Sequence, residues 1–154
     1  MVARLLERAG IAYWVFGGWG VDLHVGAVTR AHDDVDIAVW LDDVPRIVAL
    51  LVARGWRHAP YEDENGGTGY ERDGVRLELT FLVRDGDDVS TPLRDAQATW
   101  PRGAFGDDVR ELHGVRASVV AVEALVSGKS GLRADDATDA AKDRADVERL
   151  RQLS

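Results

Sequence analysis

Asp34 and Asp36 stand two residues apart, downstream of a Gly17-Gly18 turn, and these residue types in this arrangement suit metal-assisted phosphate chemistry. Carboxylates at i and i+2 on a strand point to one face, because strand side chains alternate with period two. The pair can hold one divalent ion or two. Mg²⁺ suits such a site, since it takes oxygen ligands and shares itself between one or two carboxylates and substrate phosphates. The glycines contribute by what they lack: without a Cβ, the backbone N–H groups of the turn approach a phosphate closely.

Stepping outward, the elements that must position these residues read as follows. Met1–Ala9 has Val2, Leu5, Leu6 and Ala9 at helical spacing, with Gly10 as a stop. Tyr13–Phe16 is a buried strand that delivers the glycine turn, Val21–Val25 opens a helix, and Val35–Trp40 is the strand carrying the acids. Asp43 caps a helix with Pro45 in its first turn and an apolar face of Val44, Ile47, Val48, Leu51 and Val52, ended by Gly55. Tyr61–Gly69 is turn and loop by composition. Val75, Leu77, Leu79, Phe81 and Val83 then alternate with Arg76, Glu78 and Thr80, the signature of a half-buried strand. After a turn at Arg84–Asp88, Ser118 caps a helix over Val119–Ser127, Gly128-Lys129-Ser130-Gly131 breaks or bends it, and Asp135 or Asp136 starts a last helix. The pattern predicts an α+β, α/β-like fold, a small mixed sheet with flanking helices. Residues 1–88 form its catalytic part and 89–154 a mainly helical part, within one compact unit.

Composition sets the outer bounds. A chain of 154 residues, 45% hydrophobic and 30% charged, fits a single globular domain. It has no cysteine, which excludes disulfides, thiolate metal sites and a cysteine nucleophile. A net charge of −8 opposes tight binding to nucleic acid and favours a cationic small molecule. Charges in the first ten residues and the short uncharged run Ala9–Val21 argue against a secretory signal or a membrane span, so a cytoplasmic protein is expected, as monomer or homodimer. His24, His32, His58 and His113 have no metal-binding spacing. Gly128-Lys129-Ser130 lacks the leading glycine of a complete phosphate-binding loop, since position 123 is Glu.

Gly17-Gly18-Trp19-Gly20-Val21-Asp22, a six-residue spacer, Thr29-Arg30 and then His32-Asp33-Asp34-Val35-Asp36 resemble the small antibiotic nucleotidyltransferases. These are the lincosamide and aminoglycoside 2''-nucleotidyltransferases of the polymerase-β-like superfamily. A looser likeness joins Lys129 and the run Lys142-Asp143-Arg144-Ala145-Asp146-Val147 to a C-terminal signature of that superfamily. The resemblance implies a nucleotidyltransferase fold, ATP and Mg²⁺ as co-substrate and cofactor, and a cationic antibiotic as acceptor, with an aminoglycoside ahead of a lincosamide. Relatives often carry a longer N-terminal lead, so a displaced start or a lost early core contact is expected here.

The resemblance also distributes roles. Asp34 and Asp36 are the metal ligands, Gly17 and Gly18 seat the triphosphate, and Arg30 and Lys129 meet its phosphates. Glu78 is the third carboxylate, a metal contact and the general base, where relatives usually carry Asp. Lys142 reads as an ordinary helix-end charge as readily as a functional one. Asp33 is a turn residue facing away from the pair, Asp22 holds the turn, His32 is a hydrogen-bonding loop residue, Trp19 packs, and Asp146 positions its helix. The alternatives are a superfamily member that modifies a macromolecule, as in toxin–antitoxin pairs, and a silent nucleotide-binding domain.

Overall fold

A computed structural model describes residues 2–61, 63–130 and 137–153, with residues 128–130 and 137–140 described by backbone alone. The chain starts with helix α1 (Val2–Arg8), which Gly10 ends at φ +71°, and enters strand β1 (Trp14–Phe16). Helix α2 (Gly17–Val25) follows without a loop, so the glycine turn is its first turn and the helix begins earlier than Val21. Strand β2 (Asp34–Trp40) leads through a 3₁₀ turn into helix α3 (Val44–Ala53), with Pro45 in the first turn, where its missing N–H costs nothing.

Strands β3 (Arg57–His58), β4 (Gly67–Arg72) and β5 (Val75–Asp85) complete the sheet, in the order β1-β2-β5-β4-β3. β2 and β5 run parallel, and their register sets Asp36 opposite Glu78. The other neighbours on this path are antiparallel. β4 occupies part of the stretch read as loop from its composition. Its glycines are there because neighbouring atoms fill the space a Cβ would need at Gly67 and Gly69, not because the chain turns.

The stretch 89–118, placed in a mainly helical part by the sequence, is instead largely strand. β6 (Asp88–Pro92) pairs with β5, β7 (Gln97–Thr99) pairs with β6, and β8 (Val109–Leu112) with β9 (Val115–Ser118) forms a separate hairpin. Ser118 therefore ends a strand. Extended chain continues past it, where Val119 bridges Val15 and the Val120 N–H donates to the Val15 carbonyl at 3.0 Å, so helix α4 (Val122–Ser130) starts three residues later than expected. Helix α5 (Ala137–Arg151) closes the chain. Among the described residues no helix is long and apolar enough to cross a membrane.

Two apolar clusters anchor the sheet. Ile37, Val39, Leu77, Leu79 and Phe81 pack with Leu6 of α1 and with Ile47 and Leu51 of α3. Each such side chain, fully buried, contributes about 1.5–3 kcal/mol. Val21 of α2, Ala124 and Leu125 of α4 and Leu150 of α5 form the second cluster. Strand alternation turns Asp34, Asp36, Arg76 and Glu78 to the face opposite the first cluster, and the second holds the three helices beside that face.

Candidate active site

The parallel β2–β5 pairing converts a sequence spacing into a constellation. Asp34, Asp36 and Glu78 each place a carboxylate oxygen so that all three lie within 4.8 Å of one another, every residue half-buried. They open into a cleft of about 230 Å³ lined also by Gly17, Gly18, Arg30, His32, Asp33, Lys142 and Asp143. Like charges this close resist ionisation together. The Asp34 carboxyl is pushed above the usual carboxylate range by burial, and further by the negative charges of Glu78 and Asp33. Burial acts on Glu78 in the same direction, yet its carboxyl ends below its ordinary value because its interactions with Asp36, Arg76 and Tyr61 favour its charged form.

Gly17 meets the acids directly. Its φ of +63° lies in the left-handed region, and a Cβ there would overlap the Asp36 carboxylate. Gly18 has no positive φ; instead, a Cβ would run into the His32 ring. The two glycines thus bring the start of α2 flat against the face that carries the three carboxylates and against the loop that precedes β2.

That loop is held by a chain of hydrogen bonds. Asp22, fully buried, accepts from the Thr29 N–H at 3.2 Å and from the Thr29 hydroxyl at 2.6 Å, and its second oxygen lies 2.6 Å from His32 Nε2. A guanidinium can only donate, so His32 Nδ1 accepts from Arg30 at 3.0 Å and Nε2 carries the proton that Asp22 accepts. Arg30 also donates to Asp146 of α5 at 3.1 Å, and Asp146 receives Arg149 at 3.2 Å. Trp19 stacks obliquely on the His32 ring, centroids 4.8 Å apart. Asp22, Thr29, His32 and Trp19 of the N-terminal motif are therefore scaffold, and the motif meets the C-terminal signature through Arg30 and Asp146.

Several sequence-predicted residues come together here and others do not. Gly17, Gly18, Arg30, Asp34, Asp36 and Glu78 all line the cleft. The side chain of Lys129, at the end of α4, lies outside the described residues. Lys142, weighed as an ordinary helix-end charge, is on the cleft wall, carried there by α5. Asp33 also lines the cleft and does not face away, because β2 begins only at Asp34 and alternation does not extend back to it.

The sequence reading missed two partners of Glu78. Arg76 Nε donates to Glu78 Oε1 at 2.9 Å, and Tyr61 stands near enough to the same carboxyl that burial, and after it the Glu78 charge, push its phenol up. Arg76 was discoverable, since it stands two residues before Glu78 on the same strand face, the rule already applied to Asp34 and Asp36. Tyr61 comes from a loop and left no such periodic signal.

A family model described as aminoglycoside-2''-adenylyltransferase matches residues 1–150. A lincosamide resistance protein of Staphylococcus haemolyticus is 34% identical over 56 residues, 36% of this chain and 35% of that protein. A 2''-aminoglycoside nucleotidyltransferase of Klebsiella pneumoniae is 26% identical over 94 residues, 61% of this chain and 42% of that protein. The matched segments thus span less than half the length of these curated relatives. In fold, the chain is similar to the lincomycin-bound crystal structure of the lincosamide antibiotic adenylyltransferase LnuA, with a TM-score of 0.75 at 17% identity over 98% of this chain and 92% of that one. The crystal structure of ANT(2'')-Ia in complex with adenylyl-2''-tobramycin gives 0.71 at 18% identity over 99% and 90%.

Proposed function

The chain belongs to the aminoglycoside-2''-adenylyltransferase family, and from that membership we propose that it transfers AMP from ATP to a hydroxyl of a small antibiotic. The observation that carries the reading is the gathering of Asp34, Asp36 and Glu78 within 4.8 Å beside Gly17 and Gly18. In the reaction the acceptor oxygen bonds to the α-phosphorus, the bond to the bridging oxygen breaks, pyrophosphate leaves, and the acceptor proton passes to Glu78.

The residues present fit a divalent ion. Three hard oxygen donors crowd together with like charge, and the raised proton affinity of Asp34 is what a cation would relieve. Asp34, Asp36 and Glu78 would hold Mg²⁺, which when bound neutralises charge at the transferring phosphoryl group and acidifies the attacking hydroxyl. Gly17 and Gly18 seat the triphosphate against the start of α2, where unpaired backbone N–H groups and the helix dipole favour negative charge. Lys142 and Arg30 face the departing pyrophosphate from the cleft wall, and the role of Lys129 on phosphate rests on the sequence resemblance. Such positioned cations and dipoles carry most of the catalysis in phosphoryl chemistry.

For the acceptor we place an aminoglycoside ahead of a lincosamide. The net charge of −8 creates a field that raises the encounter rate of a polycation. Pyrophosphate release, measured with each of four nucleoside triphosphates against aminoglycosides and lincosamides with and without Mg²⁺, tests the whole reading. Release that requires ATP, Mg²⁺ and an aminoglycoside is expected. Silence in every well would end the reading, and release with lincosamides alone would reverse the ranking of acceptors.

A further inference from the structure

We propose that Arg76 and Tyr61 are positioning residues that clamp the third acid, Glu78, and that Gly67 and Gly69 of β4 are the notch that admits the clamp. The proposal rests on the transfer reading above for its chemistry, and on geometry for its existence. Glutamate has one more rotatable bond than aspartate, so a carboxylate on it needs more restraint to keep one position beside Asp34 and Asp36. Arg76, two residues earlier on the same face of β5, supplies a charge-assisted bond of 2.9 Å to Glu78 Oε1. Tyr61 stands beside the same carboxyl, whose charge adds to burial in raising its phenol, and its ring lies under the Arg76 guanidinium, 5.6 Å from carbon to centroid. The three side chains therefore restrain one another.

The floor beneath them has no room for a side chain. Gly69 is the register partner of Glu78, and Gly67 that of Thr80. A Cβ on Gly69 would overlap the Ala59 carbonyl oxygen and stand 2.5 Å from an Arg76 nitrogen, and one on Gly67 would overlap the Leu79 carbonyl oxygen and stand 2.8 Å from the Tyr61 ring. Tyr61 is itself tethered: its N–H donates to Glu64 at 3.3 Å, while Glu64 lies 2.7 Å from His58 and accepts from Thr68 at 3.2 Å. Asp63 accepts the Arg94 N–H at 3.1 Å and ties the loop to the β6–β7 turn. A loop fastened at both ends presents its tyrosine to one carboxyl of the cluster.

If the clamp acts through Glu78, its loss lowers turnover and leaves nucleotide recognition alone. Arg76→Met and Tyr61→Phe are each expected to lower kcat about 10- to 100-fold, the usual scale for residues that orient a ligand-bearing side chain. KM for ATP should stay within about twofold. Arg76→Lys should recover part of the loss, because it keeps the charge and forfeits only the planar geometry. In a Glu78→Asp background, whose carboxylate is withdrawn by one methylene, the same substitutions should add little; full additivity would show that they act elsewhere and overturn the proposal. A second arm is independent of turnover. Mn²⁺ binding by calorimetry should weaken about 10-fold in the charge-conserving variants Arg76→Lys and Tyr61→Phe, and this effect should vanish in a Glu78→Gln background. Unchanged Mn²⁺ affinity in both variants overturns the clamp. If wild-type protein transfers to no acceptor yet shows the Glu78-dependent change in Mn²⁺ affinity, the transfer reading fails and the clamp stands.

Discussion

Across the β2–β5 pair, Ile37, Val39, Leu77 and Leu79 face a dry core, whereas Asp34, Asp36 and Glu78, one residue away along the same strands, face an open cleft. Side chains on the first face are at most 2% exposed and stabilise the fold by leaving water. Those on the second sit half-buried with like charges together, an arrangement that costs stability and that a bound cation would offset. The same backbone hydrogen bonds serve both faces. Two strands thus carry a stable framework and an unstable site, kept apart only by the alternation of side chains.

Substitutions on each face should separate these two roles. The largest effect is expected for Asp36→Asn, which should reduce turnover by several kcal/mol of transition-state stabilisation, about a thousandfold or more, with the far-ultraviolet circular dichroism unchanged. Turnover near that of wild type would remove Asp36 from the metal site. Leu79→Ala, on the opposite face, should do the reverse: a loss of about 2–5 kcal/mol in chemical denaturation, with kcat unaltered at temperatures where the variant remains folded. A large drop in kcat without loss of stability would mean that the faces are not separable.

Gly17→Ala should affect both sides of the comparison, because the left-handed φ costs about 1–2 kcal/mol and the new methyl displaces the Asp36 carboxylate. Denaturation and Mg²⁺ titration of the same variant should therefore both shift; a shift in stability alone would mean that Asp36 moves aside without consequence. The smallest effect concerns pH. The Asp34 carboxyl is raised in the folded state, so its stabilising contribution is present below its unfolded value of 3.8 and is lost as pH rises through the folded one. Metal-free Asp34→Asn should lack this component, so the difference in melting temperature between variant and wild type should grow in favour of the variant as pH rises across that range. A difference that does not change with pH would show that Asp34 is not crowded in the metal-free protein.

Legibility in the sequence followed the range of the interactions. The acids on β2 and the alternation of β5 could be read because strand periodicity is local, and α3 because its caps and apolar stripe lie within a few turns. β4 was hidden because its glycines, read as loop, answer to atoms of other segments, the Ala59 and Leu79 carbonyls first and then the Arg76 and Tyr61 side chains. Helix α4 was placed three residues early because the bridge of Val119 to Val15 is a contact between distant parts of the chain that no local pattern records. In the site, Asp22 was readable as a residue that holds the turn and His32 as a hydrogen-bonding loop residue, whereas the chain of bonds that joins them through Thr29 and Arg30 shows only in the fold. Lys142 was visible as a residue, yet its presence at the cleft depends on where α5 docks.

The parallel register of Asp36 with Glu78 also governs when the site can exist during folding. No tight turn can join parallel neighbours; some forty residues, including α3, β3 and β4, intervene between the two acids. Their meeting is thus a loop-closure event of high sequence separation, slow in forming and entropically costly. Local helices such as α3 can form in microseconds without producing any trace of the three-carboxylate cluster. Recovery of the proposed divalent-ion binding after dilution from denaturant is accordingly a clock for closure of the central strand pair, and a chain that regains helicity first spends that interval with its acids apart.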